Sequence, residues 1–277
     1  LRPQEIPNLV SDGLYDVGIT GKDWINETKS DVEPLLDLEY GKIKLVIAIP
    51  DTLRFKNFDQ MIGEYAKKKK ILRLSSEYLT NASKFIKSCK SYKKAFGNKD
   101  PMIITPWMRV GTNKNVQIHL SFGATEAKPP EDVDAIMDVT ETGTTLKQNG
   151  LKIIDTVMTS SAHLIANKQS LKDKNKREKI FDIVTLMSGA VQGKKYLHLY
   201  LNIKENNLKK LLKELPSLKR PTVSPLSEKG WMGVNTVILK TDFHKLIPKL
   251  RKIAQGIVVH ETRQILQLEE IKRDEEN

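Results

Sequence analysis

The feature that most restricts the fold of this chain is a short apolar strand that runs directly into a Gly/Thr-rich loop and a helical turn. Residues 133–137 (VDAIM) have the composition of a buried strand, and residues 138–145 (DVTETGTT) form the loop. Gly143 permits a backbone turn that other residues resist, so successive N–H groups and threonine hydroxyls can point into it. The pattern predicts a phosphate-binding loop, although it lacks the glycines and lysine of a Walker loop. A strand–turn–helix with threonine caps and no ligand fits the same residues.

The composition is that of a globular protein and excludes several classes. The 277 residues can bury the cores of two or three domains, with 39% apolar and 6% aromatic residues. Cys89 is the single cysteine, so an internal disulfide is excluded, and no Cys/His spacing indicates zinc. No apolar run reaches the length of a membrane span, and no signal peptide is visible. We therefore expect a cytoplasmic protein without a membrane partner.

The formal charge of +12 allows nucleic acid as a partner but does not favour it. Lysines concentrate at residues 67–70, 84–94 and 168–179, and aromatic residues interleave only with the second run. Such a run is a poor stacking platform for bases, and no nucleic-acid-binding motif accompanies it. We expect a solvated lysine surface that attracts anionic substrates and does not bind nucleic acid.

The order of strands and helices divides the chain into two parts. Before residue 195, strand and helix patterns alternate, which favours an α/β architecture with a largely parallel sheet. Helical periodicity covers residues 58–66 and, as one continuous stripe, residues 79–97, whereas residues 98–115 have the composition of a loop. Residues 195–265 instead follow the order β-α-β-β-α-β, which is the ferredoxin-like pattern. The sequence thus predicts an α/β part followed by a separate module.

Four further motifs accompany the loop, and together they point to a family. Gly18 and Gly21, in one of them, are expected to leave space for a ligand beside the backbone. In their order along the chain, the five motifs resemble ATP phosphoribosyltransferase of the long form, the family that opens histidine biosynthesis. The resemblance covers most of the chain and is weaker between about residues 50 and 120. The motifs are LRPQEIP (residues 1–7), DVGITGKD (16–23), GATE (123–126), DVTETGTTL (138–146) and RPTVSPL (220–226).

The resemblance implies a fold and a division into domains. The catalytic part would resemble a type II periplasmic-binding protein, with two lobes around a cleft. Lobe one would comprise residues 1–43, completed by 168–192, and lobe two residues 44–167 with the phosphate loop. Residues 193–277 would form an ACT-like regulatory domain. The family normally opens with a strand and a P-K-G-R-like loop ahead of the LRP segment, so lobe one is expected to be N-terminally incomplete in this chain.

The resemblance also implies a reaction and a set of site residues. The family transfers the phosphoribosyl group of phosphoribosyl pyrophosphate to N1 of ATP and releases pyrophosphate, with Mg²⁺ as cofactor. Asp138 and Glu126 would lie near the ribose hydroxyls as catalytic residues, while Arg2, Asp23 and Trp24 would line the nucleotide side. Metal ligands are not identified. The 5′-phosphate would be held by Glu141, Thr142, Gly143, Thr144 and Thr145.

A regulatory site and an assembly follow from the same resemblance. Histidine would bind the C-terminal module as a feedback inhibitor, and dimers would assemble into hexamers. Asn202 departs from relatives that place Asp there, so inhibition is expected to be weaker because a charge-assisted hydrogen bond is lost. The alternative to an enzyme is a non-catalytic, two-lobed binding protein for an anionic ligand. The expected histidine site comprises Asn202, Leu218, Thr222, Val237 and Ile257.

Overall fold

The structure, a computed structural model, describes residues 1–215 and 221–266. The chain divides into two compact units, Leu1–Arg177 and Glu178–Asn277. Within the described residues, no helix is both long enough and apolar enough to cross a membrane.

The first unit contains two sheets with helices packed on them. Its strands are β1 (Val17–Gly21), β2 (Val32–Asp37), β3 (Ile43–Pro50), β4 (Leu72–Ser76), β5 (Pro101–Ile104), β6 (Arg109–Val110), β7 (Asn113–Leu120), β8 (Ala135–Thr140), β9 (Leu151–Ser160) and β10 (Ala162–Asn167). Its helices are α1 (Ile6–Ser11), α2 (Lys22–Thr28), α3 (Phe58–Lys67), α4 (Leu79–Ser88), α5 (Lys90–Phe96) and α6 (Thr144–Gln148).

The smaller sheet has three antiparallel strands in the order β1-β10-β2. Helix α1 covers it, and Val10, Val32 and Ile165 form the buried contact. Gly18 has no side chain because Ile6 lies there: a Cβ at this position would be 2.5 Å from Ile6 Cγ2. A Cβ at Gly21 would likewise be 2.1 Å from the Asp23 carboxylate. Both glycines therefore make room for the protein's own side chains, and the expectation that they leave space for a ligand is wrong.

The larger sheet has seven strands in the order β6-β5-β7-β4-β8-β3-β9. Strands β5, β7, β4 and β8 are parallel neighbours, whereas β3 lies between β8 and β9 and runs opposite to both. The expectation of a largely parallel sheet is wrong, because β3 enters from the smaller sheet without a helical crossover of the kind that keeps neighbouring strands parallel.

Helices α3, α4 and α5 bury one face of the larger sheet against a large apolar cluster. The predicted continuous helix over residues 79–97 is broken at Cys89, whose ψ of 133° is extended. The break turns Tyr92 into the core, where it is fully buried and its hydroxyl donates to the Lys99 carbonyl at 2.8 Å. The predicted loop over residues 98–115 instead contains strands β5 and β6 and the start of β7.

The two sheets are joined by two neighbouring crossings of the chain. Between β2 and β3 the chain leaves the smaller sheet, and it returns between β9 and β10. Ile43 pairs with Ser160 at the ends of β3 and β9, so the crossings lie side by side. The return occurs at Ala162, earlier than the predicted boundary near residue 168, because β10 already pairs with β1 and β2.

The second unit has the predicted β-α-β-β-α-β order. Helix α7 (Lys174–Gly193) leads into it from the first unit. All strand pairs are antiparallel in the order β12-β13-β11-β14, and both helices pack on one face of the sheet. The elements are β11 (Tyr196–Lys204), α8 (Glu205–Glu214), β12 (Thr222–Pro225), β13 (Trp231–Leu239), α9 (Lys240–Leu250) and β14 (Ala254–Glu261).

Candidate functional site

The loop between β8 and α6 is an open turn lined by hydroxyls. Gly143 has φ +83°, which a glycine adopts without strain, and its N–H donates to Thr140 Oγ1 at 2.8 Å. The hydroxyls of Thr142 and Thr144 lie 2.9 Å apart. Since α6 spans only Thr144–Gln148, a phosphate here would depend on backbone N–H groups and hydroxyls more than on a helix dipole.

The two predicted carboxylates lie beside this loop. Asp138 and Glu126 line one cavity of about 350 Å³ together with Glu141, Thr142, Thr144 and Thr145. Glu126 belongs to a short 3₁₀ turn, Thr125–Ala127, that follows β7, whereas Asp138 belongs to β8. The structure therefore brings together six of the predicted catalytic and phosphate-binding residues, and Gly143 shapes the turn between them.

Asp138 holds its proton unusually well for a carboxyl group. Burial is the main cause that raises its pKa to about 6, and the negative charges of Glu126 and Glu77 raise it further. The Val139 N–H, 2.7 Å from Asp138 Oδ1, acts in the opposite direction. Such a carboxyl changes charge close to neutral pH, which is common at functional sites.

A second cavity contains part of the predicted nucleotide side. Arg2 and Trp24 line a space of about 320 Å³ together with Glu77, Ser121 and Phe122. Trp24 is fixed by Tyr78, whose ring centroid lies 4.5 Å away. Phe122 is 72% exposed, so this cavity opens beside an uncovered aromatic ring.

Asp23 does not line this cavity. Only 4% of its surface is exposed. Its carboxylate accepts hydrogen bonds from the Tyr78 hydroxyl at 2.8 Å and from Ser160 Oγ at 2.5 Å. Burial, and then the nearby Asp23 charge, raises the pKa of Tyr78 well above its usual value. The structure thus places Asp23 in a buried network that connects α2 to β4 and β9.

Glu77, Ser121 and Phe122 line this cavity but were not among the predicted site residues, although one signal could have found them. Glu77 directly follows β4, and Ser121 and Phe122 directly follow β7. In open α/β sheets, ligands bind beyond the carboxyl ends of parallel strands, where these residues lie. Ser76 pairs with both Leu120 and Met137. The next residue of each segment, Glu77, Ser121 or Asp138, therefore lies at the same end of the sheet.

The expected histidine residues divide between the two faces of the sheet in the second unit. Asn202 pairs with Gly233, Val237 with His198, and Thr222 with Asn235, which places their side chains on the face away from the helices. Ile257 pairs with Leu201 and packs with the helix-side core, so it does not join them. Leu218 lies outside the described residues.

Asn202 has one further property that bears on ligand binding. Its Oδ1 is buried without a hydrogen-bond partner in the described part of the chain. Buried polar atoms are normally paired, so an orphaned acceptor indicates a missing donor. The ammonium group of an amino acid would supply one.

The fold and the site define a two-lobed α/β protein whose cavity beside the Gly143 turn is lined by carboxylates and threonine hydroxyls. The family described as ATP phosphoribosyltransferase matches residues 2–189, and its C-terminal domain matches residues 193–264. The chain therefore belongs to the ATP phosphoribosyltransferase family, whose enzymes catalyse the first step of histidine biosynthesis.

Individual relatives agree with this assignment. The ATP phosphoribosyltransferases of Solibacter usitatus and Chlorobium chlorochromatii are 37% and 34% identical to this chain. The alignments cover 96% and 93% of the chain and 83% and 79% of the relatives. Among solved structures, the ATP phosphoribosyl transferase (HisG:HisZ) complex from Thermotoga maritima is 20% identical, with a TM-score of 0.50 over 66% of this chain and 75% of that one. The predicted family and fold class are confirmed.

Proposed function

We propose that this protein transfers the phosphoribosyl group of phosphoribosyl pyrophosphate to N1 of ATP and releases pyrophosphate. The observation that carries the proposal is the cavity shared by Asp138, Glu126 and the hydroxyls of the Gly143 turn. The hydroxyls and N–H groups of residues 141–145 would hold the 5′-phosphate. The two carboxylates would then face the ribose hydroxyls.

The chemistry requires positioning and charge more than a strong base. Breaking the C1–pyrophosphate bond gives the ribose oxocarbenium character, which nearby carboxylates stabilise. N1 of adenine attacks with its own lone pair and has no proton to lose. Asp138 and Glu126 therefore act by orienting the ribose and by their negative charge.

Magnesium is the expected cofactor, and the side chains present fit one way of holding it. Among the described residues, no group of three or more His, Cys, Asp or Glu could ligate a metal. Mg²⁺ is commonly bound by one or two carboxylates together with substrate phosphates, a role open to Asp138 and Glu126. Bound in this way, the ion would neutralise charge on the departing pyrophosphate.

On the nucleotide side, the residues have different proposed roles. Arg2 and Trp24 line the second cavity, and we assign them to contact ATP. Asp23 is buried, so its proposed role is to position α2 and Trp24 through Tyr78 and Ser160. This arrangement separates the residues that would touch the nucleotide from the one that supports them.

Regulation, assembly and location complete the proposal. Histidine would bind the second unit near Asn202, Thr222 and Val237 as a feedback inhibitor, which the unpaired Oδ1 of Asn202 supports. We retain two catalytic lobes followed by a regulatory domain over residues 193–277, with the return to lobe one moved from residue 168 to Ala162. We also retain dimers that assemble into hexamers. The enzyme would act in the cytoplasm, as expected for amino-acid biosynthesis.

The deciding experiment is an assay of pyrophosphate release by the complete protein. The expected result is release that requires ATP, phosphoribosyl pyrophosphate and Mg²⁺ together. Binding of phosphoribosyl pyrophosphate without release would favour the alternative, a non-catalytic two-lobed binding protein. Asp138→Asn should strongly reduce the rate of pyrophosphate release. Asp132→Asn changes an exposed residue in the segment just before β8 and should not reduce it.

A further inference from the structure

A row of basic side chains crosses the larger sheet next to the candidate site. Arg109 pairs with Ile104, Ile104 pairs with His119, and His119 pairs with Ser75, so these residues form one line across β6, β5, β7 and β4. Directly paired residues project from the same face of a sheet. Arg109 and His119 therefore lie on one face, with two strand spacings between them.

This face is the one that helices α3, α4 and α5 leave uncovered. Leu74 and Ile118, which alternate with Ser75 and His119 along their strands, are fully buried in the helix-side core. Arg109, by contrast, is exposed, and His119 is half-buried. Asp138 lies two residues beyond Ile136, the partner of Ser75, and so projects from the same face as the row.

Lys128 adds a third basic side chain at the Ser75 end. Its ammonium donates to Ser121 Oγ at 2.7 Å and approaches Ser75 Oγ at 3.4 Å. Ser121 Oγ also accepts from Thr125 Oγ1 at 3.0 Å. Within the described ranges 1–215 and 221–266, Lys128 forms no ion pair, so hydroxyls hold its ammonium and leave its charge uncompensated.

The neighbouring cations act on His119 electrostatically. Burial, and then the positive charges of Arg73, Lys128 and Arg109, lower the pKa of His119. Arg73 is already committed, because its guanidinium lies 3.3 Å from Asp134 in an ion pair. Arg109 has no such partner in the part of the chain that the structure describes. An anion placed along the row would be attracted by the charges of Lys128 and Arg109, which no described carboxylate pairs.

We propose that Arg109, His119 and Lys128 form a binding row for the pyrophosphoryl part of a substrate, beside the carboxylates Asp138 and Glu126. The inference rests on the proposed function. Strands are spaced about 4.8 Å apart, so Arg109 and His119 are roughly 10 Å apart and the row reaches roughly 14 Å at Ser75, which favours a polyphosphate over a single phosphate. Both substrates carry one: the pyrophosphate of phosphoribosyl pyrophosphate and the triphosphate of ATP.

Calorimetric titration of the complete protein with inorganic pyrophosphate tests the row directly. Lys128→Met and Arg109→Met should each weaken binding roughly tenfold or more, as expected when a hydrogen bond to a charged group is lost. Lys128→Arg should restore most of the affinity because it keeps the charge. Lys67→Met, which removes the same charge from a side chain that is 77% exposed, is the matched control and should change little.

Kinetics then distinguish the two sources of the polyphosphate. A raised KM for phosphoribosyl pyrophosphate alone in Lys128→Met assigns the row to that substrate, and a raised KM for ATP alone assigns it to the triphosphate. Wild-type affinity for pyrophosphate in Lys128→Met and Arg109→Met overturns the proposal, as does a wild-type protein that fails to bind pyrophosphate at millimolar concentration. Turnover by the wild type is measured separately. Binding of pyrophosphate without turnover would contradict the proposed transfer reaction but would leave the proposed binding row standing.

Discussion

The Tyr78 hydroxyl donates a hydrogen bond to Asp23 Oδ2 at 2.8 Å, and this contact joins helix α2 to the segment after β4. Tyr78 belongs to the core of the larger sheet, whereas α2 packs on that core through Trp24 and on the smaller sheet through Ile25. Tyr78 and Asp23 are both at most 4% exposed. A buried carboxylate requires such donors, because its charge is costly to remove from water. The bond therefore supports the relative placement of the two sheets.

Removing this donor should destabilise the protein. Tyr78→Phe leaves the buried carboxylate of Asp23 with one donor fewer, which should lower the free energy of unfolding by about 1.5–3 kcal/mol. Tyr40→Phe, at a tyrosine that is 52% exposed, is the control and should have almost no effect. Urea unfolding monitored by circular dichroism measures both. An equal effect in the two variants would show that the Tyr78–Asp23 bond contributes nothing.

The loop glycine can be tested against a glycine with the same backbone conformation. Gly143→Val should reduce the affinity for phosphoribosyl pyrophosphate roughly ten- to a hundredfold, since a β-branched residue resists φ +83° and disturbs the N–H groups. Gly150→Val meets the same backbone restriction at φ +68° on the far side of α6 and should mainly lower stability. Thr145→Ala should weaken binding by removing one hydroxyl. Unchanged affinity in folded Gly143→Val would refute the phosphate-loop assignment.

The raised pKa of Asp138 predicts a response to charge changes nearby. Glu126→Gln removes a negative charge that raises this pKa, so the apparent value should fall from about 6. Carboxyl-detected NMR of the complete protein measures the titration. Glu131→Gln, an exposed change in the segment before β8, should leave the pKa of Asp138 unchanged. An equal change of the Asp138 pKa in both variants would argue against a specific effect of the Glu126 charge.

The same shift links stability to pH with a definite sign. Because folding raises the pKa of Asp138 from 3.8 to about 6, its bound proton stabilises the folded state. That contribution is complete below pH 3.8 and is lost as pH rises through about 6. In Asp138→Asn the free energy of unfolding should therefore fall less between these pH values than in the wild type.

Histidine binding should respond to the charge at residue 202. Asn202→Asp would replace a neutral acceptor by a charged one, and charge-assisted hydrogen bonds are roughly twice as strong. We expect tighter histidine binding by calorimetry and stronger inhibition of the complete enzyme. Asn206→Asp adds the same charge at an exposed position of α8 and should leave both unchanged. If the wild type fails to bind histidine at millimolar concentration, the second unit has no histidine site.

The basic surface should bind nucleic acid weakly. If the lysine runs are solvated, binding to duplex DNA depends on counterion release and should be almost lost by moderate salt. Fluorescence anisotropy with unrelated duplexes over a series of salt concentrations measures this. Sequence-specific binding at nanomolar concentration in physiological salt would contradict the expectation.

Local periodicity was sufficient to predict many elements but not their partners. The helix at Phe58–Lys67 and the strand at Ile43–Pro50 follow from patterns within their own residues. The direction of β3 depends on where the chain has come from, which no local pattern encodes. The break at Cys89 is likewise set by the burial of Tyr92 in a core assembled from distant segments.

In the candidate site, too, some features follow from local sequence and others depend on distant residues. The turn at Gly143 and the nearby Asp138 could be predicted because loop and strand are continuous in sequence. The burial of Asp23 could not, since its partners Tyr78 and Ser160 are distant along the chain. Ile257 lies on the opposite face from Asn202, because the β11–β14 register pairs it with Leu201 and not with Asn202.

The side-by-side crossings at Ile43 and Ser160 have a mechanical consequence. Two chain segments that are paired to each other define one axis, so a hinge there would let one sheet rotate against the other while the pairing of β3 with β9 stays intact. The Tyr78–Asp23 bond opposes this rotation. Asp23 accepts a hydrogen bond from Ser160 itself, next to that axis, where a rotation displaces atoms least. Torsional freedom would then be confined to a few backbone angles. Such a rotation would change the distance across the second cavity, between Trp24 on one side and Glu77 and Phe122 on the other.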